Sequence, residues 1–537
     1  LPTVAAAGPD ARTPAAGQGV VAVGATPAPG EAVRVGSSPV PTIPSPSATA
    51  GLAATAAPTA PTPAVIGAVT PGASIISGGS PGSRRSAFFG LYPFSTTVDT
   101  SAQERNLLAE AGAGLAQVAV DWGRIELDEG YSDRYAPQNS FDSTYIAPVD
   151  KRIGDVAASG FTPALLIVNP PAWALVTPET QGPLKPEKLP RYASFVKRLV
   201  QRYSQPPYNA RYVVLFLEPD HRSSIPQSCQ GKMLPLHRAW GDAPGQFATM
   251  LQQTYPAVKA AAPGVQVIMG ALALDNFGGA NQPGFNAGPC GPFNYTFMDE
   301  VLAQGGASYF DAFGFNSYAI FGLGWEQQPQ AGGAYDIAAK TNVLRARYPQ
   351  LGSKPWVVLE SGVRSDSTTQ IPVRAADGAT AYVTPNDDWQ ASYPAKLFSR
   401  GLSAGLSSVV WYGLRDQPDD QARGLLDQGG RPKKAYQGFR QATQMLAGAA
   451  VQGVLTPRAT ASGKAEGYVF RGASGGRLVV LWAVGDQSAR ARVTVDMAGG
   501  NLRGFDVTGG QMAGLQVQGD QVTLEVGSAP VYLLSGS

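Results

Sequence analysis

Apolar residues form eight short continuous runs between residues 86 and 445, and helix-like periodic stretches separate them. Continuous apolar runs are typical of parallel strands buried on both faces. Eight such strands alternating with helices over about 360 residues predict a (β/α)8 TIM barrel with enlarged loops. A doubly wound sheet shows the same alternation, but its ligand sites rarely need eight units. The runs are "AFFGLY" (87–92), "LAQVAVDW" (115–122), "TPALLIV" (162–168), "YVVLFLE" (212–218), "VQVIMGAL" (265–272), "FDAFGFNSY" (310–318), "WVVLES" (356–361) and "SSVVWYGL" (407–414).

The hydrophobic pattern changes at residue 446. Short segments such as "ARVTVDM" and "QVTLEVG" alternate apolar and polar residues, and glycine-rich turns separate them. A period of two residues indicates strands with one buried face. We therefore predict an antiparallel β-sandwich over residues 446–537, after a barrel over residues 86–445.

Residues 1–85 show neither period. Segments such as "PTIPSPSATA" and "PTAPTPA" are rich in Pro, Ala, Thr and Ser, and charged side chains are rare. Such a composition cannot build a core, and it predicts an extended arm or linker. Short apolar stretches such as "VVAVGA" could each add a strand to the edge of another sheet. The arm therefore has two interpretations, a flexible spacer and a segment for self-association.

Charge and composition exclude several classes of function. The formal net charge is +2 and 15% of the residues are charged, so no surface for nucleic acid is indicated. No apolar run approaches the roughly 20 residues that a membrane span needs. The chain begins at Leu1 rather than Met, which a cleaved secretory signal would explain, although a shortened chain would begin in the same way. We expect a secreted protein, extracellular or at the cell surface.

Two cysteines and two histidines raise the choice between a disulfide and a metal site. In an exported protein a single pair of cysteines predicts a disulfide, here between Cys229 and Cys290. The alternative is a metal site in which His221 and His237 join them, but the spacing matches no compact zinc pattern. We predict the disulfide, no metal and no cofactor.

Two glutamates stand at the ends of predicted barrel strands. Glu218 ends the fourth strand and Glu360 ends the seventh. The catalytic residues of TIM barrels lie at the carboxyl ends of the strands. Glycoside hydrolysis needs two facing carboxylates, one to protonate the leaving oxygen and, in a retaining enzyme, one to attack the anomeric carbon. Either glutamate alone would more simply be a partner in a salt bridge.

Four segments together resemble clan A glycoside hydrolases, most closely the β-xylosidase-like and cellulase-like families with a C-terminal β-sandwich. The resemblance implies that Glu218 is the acid/base and Glu360 the nucleophile of a retaining enzyme that cleaves β-linked carbohydrate. The segments are "DWGRIELDEG" (121–130), "LEPD" (217–220), "VVLESG" (357–362) and "WYGLRDQPDDQARGLLDQGGRPKKAY" (411–436).

Three positions depart from the pattern of these families. Leu217 stands where the families have an asparagine whose amide binds the sugar 2-hydroxyl. Gln117 stands in place of an arginine that supports the nucleophile. Asn316 replaces the histidine of an "HxY" segment, in which Tyr318 is kept. Losing an interaction that strengthens in the transition state costs several kcal/mol, so these departures fit an unusual substrate or a barrel that has lost catalysis.

Aromatic and polar residues near the predicted barrel mouth are candidates for sugar contacts. Carbohydrate rings stack on indoles, while polar neighbours bind the hydroxyls. Trp411 closes the eighth strand and Trp173 follows the third, although an indole in a loop also packs simply against its neighbours. The predicted substrate-binding residues are Trp411, Tyr318, Asn316, Trp173 and His221.

Two functions are therefore open. The first is a secreted retaining glycoside hydrolase that acts on a polysaccharide or oligosaccharide, and the paired glutamates favour it. The second is a catalytically impaired barrel that serves as a subunit of an extracellular filament, sheath or surface layer, with self-association through residues 1–85. The low-charge arm and the three altered positions favour this second function. Sugar binding without turnover lies between the two.

Overall fold

The computed structural model describes most of the chain from Arg85 onward. All of the described residues belong to one compact unit, which spans residues 66–537. The predicted arm up to residue 84, the predicted disulfide between Cys229 and Cys290, and His237 lie outside the described residues. The described ranges are 85–92, 100–129, 141, 143–178, 180–224, 239–273, 292–318, 337–366, 371–374, 380–417, 422–455, 463–497 and 500–536.

Eight parallel strands close into a barrel, which confirms the predicted TIM-barrel fold. The barrel strands are β1 (Ser86–Tyr92), β2 (Ala113–Asp121), β3 (Thr162–Val168), β4 (Tyr212–Leu215), β5 (Gln266–Leu272), β6 (Ala312–Tyr318) and β7 (Trp356–Gly362). An antiparallel hairpin of β8 (Ile371–Arg374) and β9 (Thr380–Val383) follows, and β10 (Ser408–Tyr412) closes the barrel. The order around the barrel is β1-β10-β7-β6-β5-β4-β3-β2.

Helices connect the barrel strands. They are α1 (Ala102–Glu110), α2 (Trp122–Ile125), α3 (Ser143–Ala158), α4 (Leu189–Tyr203), α5 (Pro244–Ala261), α6 (Phe297–Ala303), α7 (Ile337–Arg347), α8 (Asp387–Ser403) and α9 (Lys434–Leu446). The start of α1 follows from local sequence, because Ser101 and Glu104 form a reciprocal capping box. None of the helices in the described part of the chain combines the length and apolar character needed to cross a membrane.

Side chains of the barrel strands alternate between the interior and the shell of helices. On β2, Leu115 and Ala119 belong to the interior cluster, whereas Val118 and Val120 pack in the shell. This alternation follows from the period of two residues in a strand. It decides which side chains at each strand end face the mouth of the barrel.

The C-terminal strands form two antiparallel sheets, as the alternating pattern predicts. Facing residues such as Val479 and Leu481 of one sheet and Val493 and Leu524 of the other share a core. The larger sheet is β11 (Ala450–Val454), β12 (Ala465–Arg471), β13 (Arg477–Ala483), β18 (Val531–Leu534) and β15 (Arg503–Phe505), in spatial order. The smaller sheet is β14 (Arg490–Asp496), β17 (Gln521–Gly527) and β16 (Gln516–Gln518).

Helix α8 joins the barrel to the sandwich. Arg400 on α8 donates two hydrogen bonds to Glu466 on β12, at 2.8 and 2.6 Å. One turn earlier, the Lys396 ammonium lies 4.3 Å from the ring centroid of Trp389 and 5.7 Å from that of Trp482 on β13. The pKa of Lys396 is lowered from 10.5 to about 7, mainly by burial and also by the charge of Arg400, while Glu466 opposes the shift. The indoles favour the charged form and offset part of the cost of burying it.

We expect Lys396→Met to stabilise the protein more at pH 7 than at pH 9. The folded protein disfavours charged Lys396, so this cost is fully present below pH 7 and fades as the pH rises towards 10.5. The gain in the free energy of unfolding should shrink by up to about 1.4 kcal/mol per pH unit in this window. Urea unfolding of both proteins between pH 6 and pH 9 measures it.

The matched control is Lys434→Met, because Lys434 is a half-exposed lysine that pairs with Asp388 on α8. Its effect on the free energy of unfolding should not change between pH 7 and pH 9. A gain for Lys396→Met that is equal at all these pH values would contradict the lowered pKa of Lys396.

Candidate active site

Glu218 and Glu360 lie together at the carboxyl ends of the barrel strands. The Asn316 Nδ2 on β6 donates to Glu218 Oε1 at 2.9 Å and to Glu360 Oε2 at 3.4 Å. Because one nitrogen contacts both carboxylates, Glu218 Oε1 and Glu360 Oε2 are at most about 6.3 Å apart. This limit admits the roughly 5–5.5 Å carboxyl spacing of retaining glycosidases and lies just below the roughly 6.5–9.5 Å of inverting ones.

The turn after β4 presents Glu218. The predicted strand 212–218 is shorter in the structure and ends at Leu215, because Phe216 and Glu218 have positive φ values of 67° and 46°. Gly270 on β5 makes room for this turn, since a Cβ there would lie 2.9 Å from the backbone oxygens of Leu215 and Phe216. Residues held in the left-handed region cluster at functional sites.

An extra residue in β7 places Glu360 beside Asn316. Against β6, Phe315 pairs with Val358 and Asn316 pairs with Glu360, so Leu359 is passed over. The register of β7 against β10 shifts at the same place. A bulge of this kind turns the following side chain in a new direction. Here it makes Asn316 and Glu360 direct neighbours on adjacent strands.

Tyr318 is the second hydrogen-bond donor to Glu360. Its Oη donates to Glu360 Oε2 at 2.9 Å. Burial raises the pKa of Tyr318 well above its ordinary value, the charge of Glu360 raises it further, and Arg423 opposes the shift. Burial and the charge of Glu360 also raise the pKa of Tyr92 at the end of β1. Both phenols therefore stay protonated beside the carboxylate at neutral pH.

His221 lies beside Glu218. Its Nε2 is 3.0 Å from Glu218 Oε2, and its backbone N–H donates to the Glu218 carbonyl at 3.2 Å. The imidazole packs edge-on against Phe293, with ring centroids 4.3 Å apart. The structure thus brings His221, Asn316 and Tyr318 of the predicted substrate-binding residues to the glutamate pair.

Trp411 is not at the barrel mouth, and its predicted role as a sugar platform is corrected. Its side chain is 0% exposed, its Nε1 donates to the Arg423 carbonyl at 3.2 Å, and its ring packs near Tyr393 and Phe439. The reason is the alternation along β10, which points Trp411 towards the helices. The next residue, Tyr412, faces the interior instead.

Trp173 is half-buried and makes packing contacts, and its predicted sugar contact stays a prediction. Its Nε1 donates to the Glu126 carbonyl at 3.2 Å, and its ring lies edge-on to Trp122 at 5.4 Å. These described contacts anchor the loop after β3 to the segment after β2. The contacts agree with the alternative of loop packing and leave part of the indole exposed.

The segment "DWGRIELDEG" builds a buried ion network. Glu126 is 0% exposed and forms salt bridges with Arg191, at 3.1 Å, and with Arg198. Trp122 Nε1 donates to the same carboxylate at 2.9 Å. The contacts tie α4 to the end of β2, so this segment supports the barrel rather than supplying catalytic groups.

We expect Glu126→Gln to lower the free energy of unfolding by about 3–5 kcal/mol, because it leaves buried guanidinium groups without their charged partner. The control is Glu129→Gln, whose carboxylate is 57% exposed and pairs with Lys188, and which should cost less than about 1 kcal/mol. Urea unfolding at pH 7 measures both. Similar small losses for the two variants would show that the network contributes little.

Three residues at the mouth were not predicted from the sequence. Tyr92 and Tyr412 lie with their ring centroids 5.6 Å apart, and Tyr412 is 6.2 Å from Tyr318. The Arg423 guanidinium lies 5.1 Å from the ring centroid of Tyr318 and 5.9 Å from that of Tyr412. Strand alternation could have identified Tyr412, whereas the position of Arg423 depends on the path of a loop.

The segment after β10 holds that loop through polar contacts. Gln390 on α8 donates to the carbonyls of Ala422, at 3.0 Å, and Gly424, at 3.4 Å, on either side of Arg423. The Gly424 N–H donates to Asp416 at 2.7 Å, and Lys433 contacts the same carboxylate at 3.0 Å. Asp416 and Lys433 of the 411–436 segment therefore help to set the path of the loop that carries Arg423.

The structure also bears on a metal site and on Leu217. Within the described ranges, no group of three or more His, Cys, Asp or Glu side chains could hold a metal ion. Leu217 is partly buried and packs against the interior cluster. It stands immediately before Glu218, so an apolar side chain borders the acidic pair.

Several solved structures with the same architecture are glycoside hydrolases. One is a family 39 glycoside hydrolase from Bacteroides cellulosilyticus WH2, with a TM-score of 0.60, 18% identity, and coverage of 84% of this chain and 81% of that chain. The chain shares the fold of this enzyme. A family 30 endoxylanase from Clostridium papyrosolvens C71 gives a TM-score of 0.53 at 11% identity, covering 84% of this chain and 96% of that one.

A family 30 subfamily 8 xylanase from Clostridium acetobutylicum is similar to the same extent, with a TM-score of 0.53, 14% identity, and coverage of 83% and 95%. No family model and no curated protein matches the sequence. The likeness therefore confirms, at the level of fold, the resemblance to clan A glycoside hydrolases.

Proposed function

We propose that this protein is a secreted retaining glycoside hydrolase that cleaves β-glycosidic bonds in a polysaccharide or oligosaccharide. The observation that carries the proposal is the Asn316 amide, which contacts both Glu218 and Glu360 at one barrel mouth. The glycoside hydrolase fold supports it. Fold alone does not determine function, so the carboxylate geometry is the main argument.

In the proposed mechanism Glu360 is the nucleophile. Its carboxylate attacks the anomeric carbon while the Glu218 carboxyl group donates a proton to the leaving oxygen, and the glycosidic C–O bond breaks. Glu218, now a carboxylate, then takes a proton from water, whose oxygen attacks the anomeric carbon. The bond to Glu360 breaks, and the starting protonation states return.

Asn316 and Tyr318 position the reacting carboxylates in this proposal. Both donate hydrogen bonds to Glu360 Oε2, and Asn316 also donates to Glu218. Neutral donors hold a carboxylate in place without forming an ion pair that would reduce its nucleophilicity. In place of Trp411, the half-buried Tyr412, which lies beside Tyr92, supplies aromatic surface at the mouth.

The first substrates to test are β-xylosides and xylan. Two of the similar structures are named as an endoxylanase and a xylanase, which motivates this choice. Aryl β-glucosides, β-mannosides and β-galactosides complete a panel, because the sugar that fits beside Leu217 is not determined by the two carboxylates.

Glu360→Gln should reduce kcat by at least about 10³-fold on every substrate of the panel, because the amide cannot act as nucleophile. Glu218→Gln should keep measurable activity on 2,4-dinitrophenyl glycosides, whose leaving group needs no proton, and lose it on natural linkages. Initial rates on both substrate types measure this difference.

A mechanism-based 2-deoxy-2-fluoro glycoside should label Glu360, as read by peptide mass spectrometry, and NMR should show retention of the anomeric configuration. The Glu129→Gln variant serves as the control and should react as the unaltered chain does. Full activity of Glu360→Gln, or inversion at the anomeric carbon, would refute the proposed mechanism.

Leu217 supports a second candidate function, a barrel that binds carbohydrate or assembles outside the cell with little or no turnover. An apolar side chain at this position cannot make the hydrogen bond that the family resemblance implies for an asparagine. Such a protein would serve as a subunit of a filament, sheath or surface layer, with residues 1–85 as the segment for self-association. Loss of assembly on deleting residues 1–85, measured by light scattering, would support it.

We expect Leu217→Asn to raise kcat/KM on aryl β-glycosides by about 10-fold, because a new amide donor beside Glu218 strengthens binding of a sugar hydroxyl in the transition state. The matched control is Leu217→Val, which changes the volume without adding a donor. A gain with asparagine alone supports a weakened hydrolase. An unchanged or lower rate would contradict the role assigned to this position.

A further inference from the structure

We propose that Gln117 is a positioning residue that holds the bulge of β7 and thereby directs Glu360; this inference rests on the proposed function. Gln117 lies on β2 and is 0% exposed. Its Nε2 donates to the carbonyl oxygen of Leu359 at 2.5 Å. Leu359 is the residue passed over in the pairing of β7 with β6, immediately before Glu360.

This contact crosses the barrel interior. Strands β2 and β7 are not neighbours, because β1 and β10 lie between them in the barrel. Residues at alternate positions on β2, Leu115 and Ala119, belong to the interior cluster, as does Leu359. Gln117 therefore joins opposite parts of the wall through a side chain surrounded by apolar residues.

The Leu359 carbonyl is where such a contact has most effect on Glu360. A bulged residue is left out of the regular ladder, so a side-chain donor can decide its orientation. The carbonyl belongs to the peptide unit that leads directly into Glu360. A donor at this point limits rotation of that peptide and hence the direction in which the Glu360 side chain leaves the strand.

Only the NH2 group of the Gln117 amide has a hydrogen-bond partner among the described residues. Its Oε1 is buried and has no hydrogen-bond partner among the described residues. The amide orientation follows from its contact, because Oε1 in place of Nε2 would put two acceptors together. A buried polar atom without a partner lowers stability, and an apolar residue at this position would avoid that cost. The NH2 group of Gln117, which donates to the Leu359 carbonyl, is the part of the side chain that acts on the site.

The test is the pair Gln117→Met and Gln117→Glu, assayed on the aryl β-glycoside that the unaltered chain cleaves fastest. Gln117→Met keeps the length and removes the donor. We expect kcat to fall by about 10- to 100-fold with KM changed less than about 3-fold, because a displaced nucleophile impairs attack more than binding. This loss should be the same at every pH between 5 and 8.

Gln117→Glu adds a second measurement, the dependence of kcat on pH, which a purely structural role of Gln117 would not change. A protonated carboxyl group donates to the Leu359 carbonyl as the amide does, whereas a carboxylate does not. Burial raises the pKa of an introduced glutamate, so the variant should approach the unaltered kcat at low pH and lose activity as the pH rises. It also decides the question if Gln117→Met does not fold.

Gln441→Met is the control, since Gln441 is a buried glutamine on α9, outside the barrel interior. Its kcat should match that of the unaltered chain at each pH. Equal kcat for Gln117→Met, or a Gln117→Glu profile parallel to the unaltered one, would overturn this inference while leaving the proposed function intact. If the unaltered chain neither turns over the panel nor labels at Glu360, both are overturned.

Discussion

The geometry of the site depends on one amide group between two carboxylates. Two carboxyl groups held this close in a partly buried mouth repel each other when both are ionised, and a hydrogen-bond donor between them reduces that cost. The Asn316 Nδ2 occupies that position and contacts both. Its own placement depends on the pairing of β6 with β7, which sets Asn316 opposite Glu360. The backbone register is therefore the condition for a usable carboxylate pair.

Much of the fold was predictable because the barrel strands are buried on both faces and appear as continuous apolar runs. Glu218 and Glu360 were identifiable by their position at the ends of two such runs. The exact course of the chain there was not. The left-handed turn at Phe216 and Glu218 needs the absence of a side chain at Gly270 on the neighbouring strand. A contact between strands far apart in sequence leaves no local pattern.

Residue type at a strand end does not determine which way the side chain points. Trp411 is an indole at the end of β10, but the strand alternation directs it towards the helices and directs Tyr412 towards the interior. Glu360 does not follow the strand alternation. Val357 and Leu359 face the interior, so alternation alone would turn Glu360 away from it, and the bulge at Leu359 brings Glu360 beside Asn316. Arg423 could not be assigned either, since its contacts with the tyrosines require a loop whose path is set by hydrogen bonds from α8.

Helix α8 gives the C-terminal sandwich a direct bearing on the barrel mouth. Near its start, Gln390 holds the backbone on both sides of Arg423. Less than two turns later, Lys396 meets Trp482 of the sandwich, and Arg400 then binds Glu466. The same helix thus contacts the Arg423 loop near its start and the sandwich near its end. The sandwich thus supports the outer side of the helix that holds the Arg423 loop, and a barrel cut free of the sandwich would lose that support.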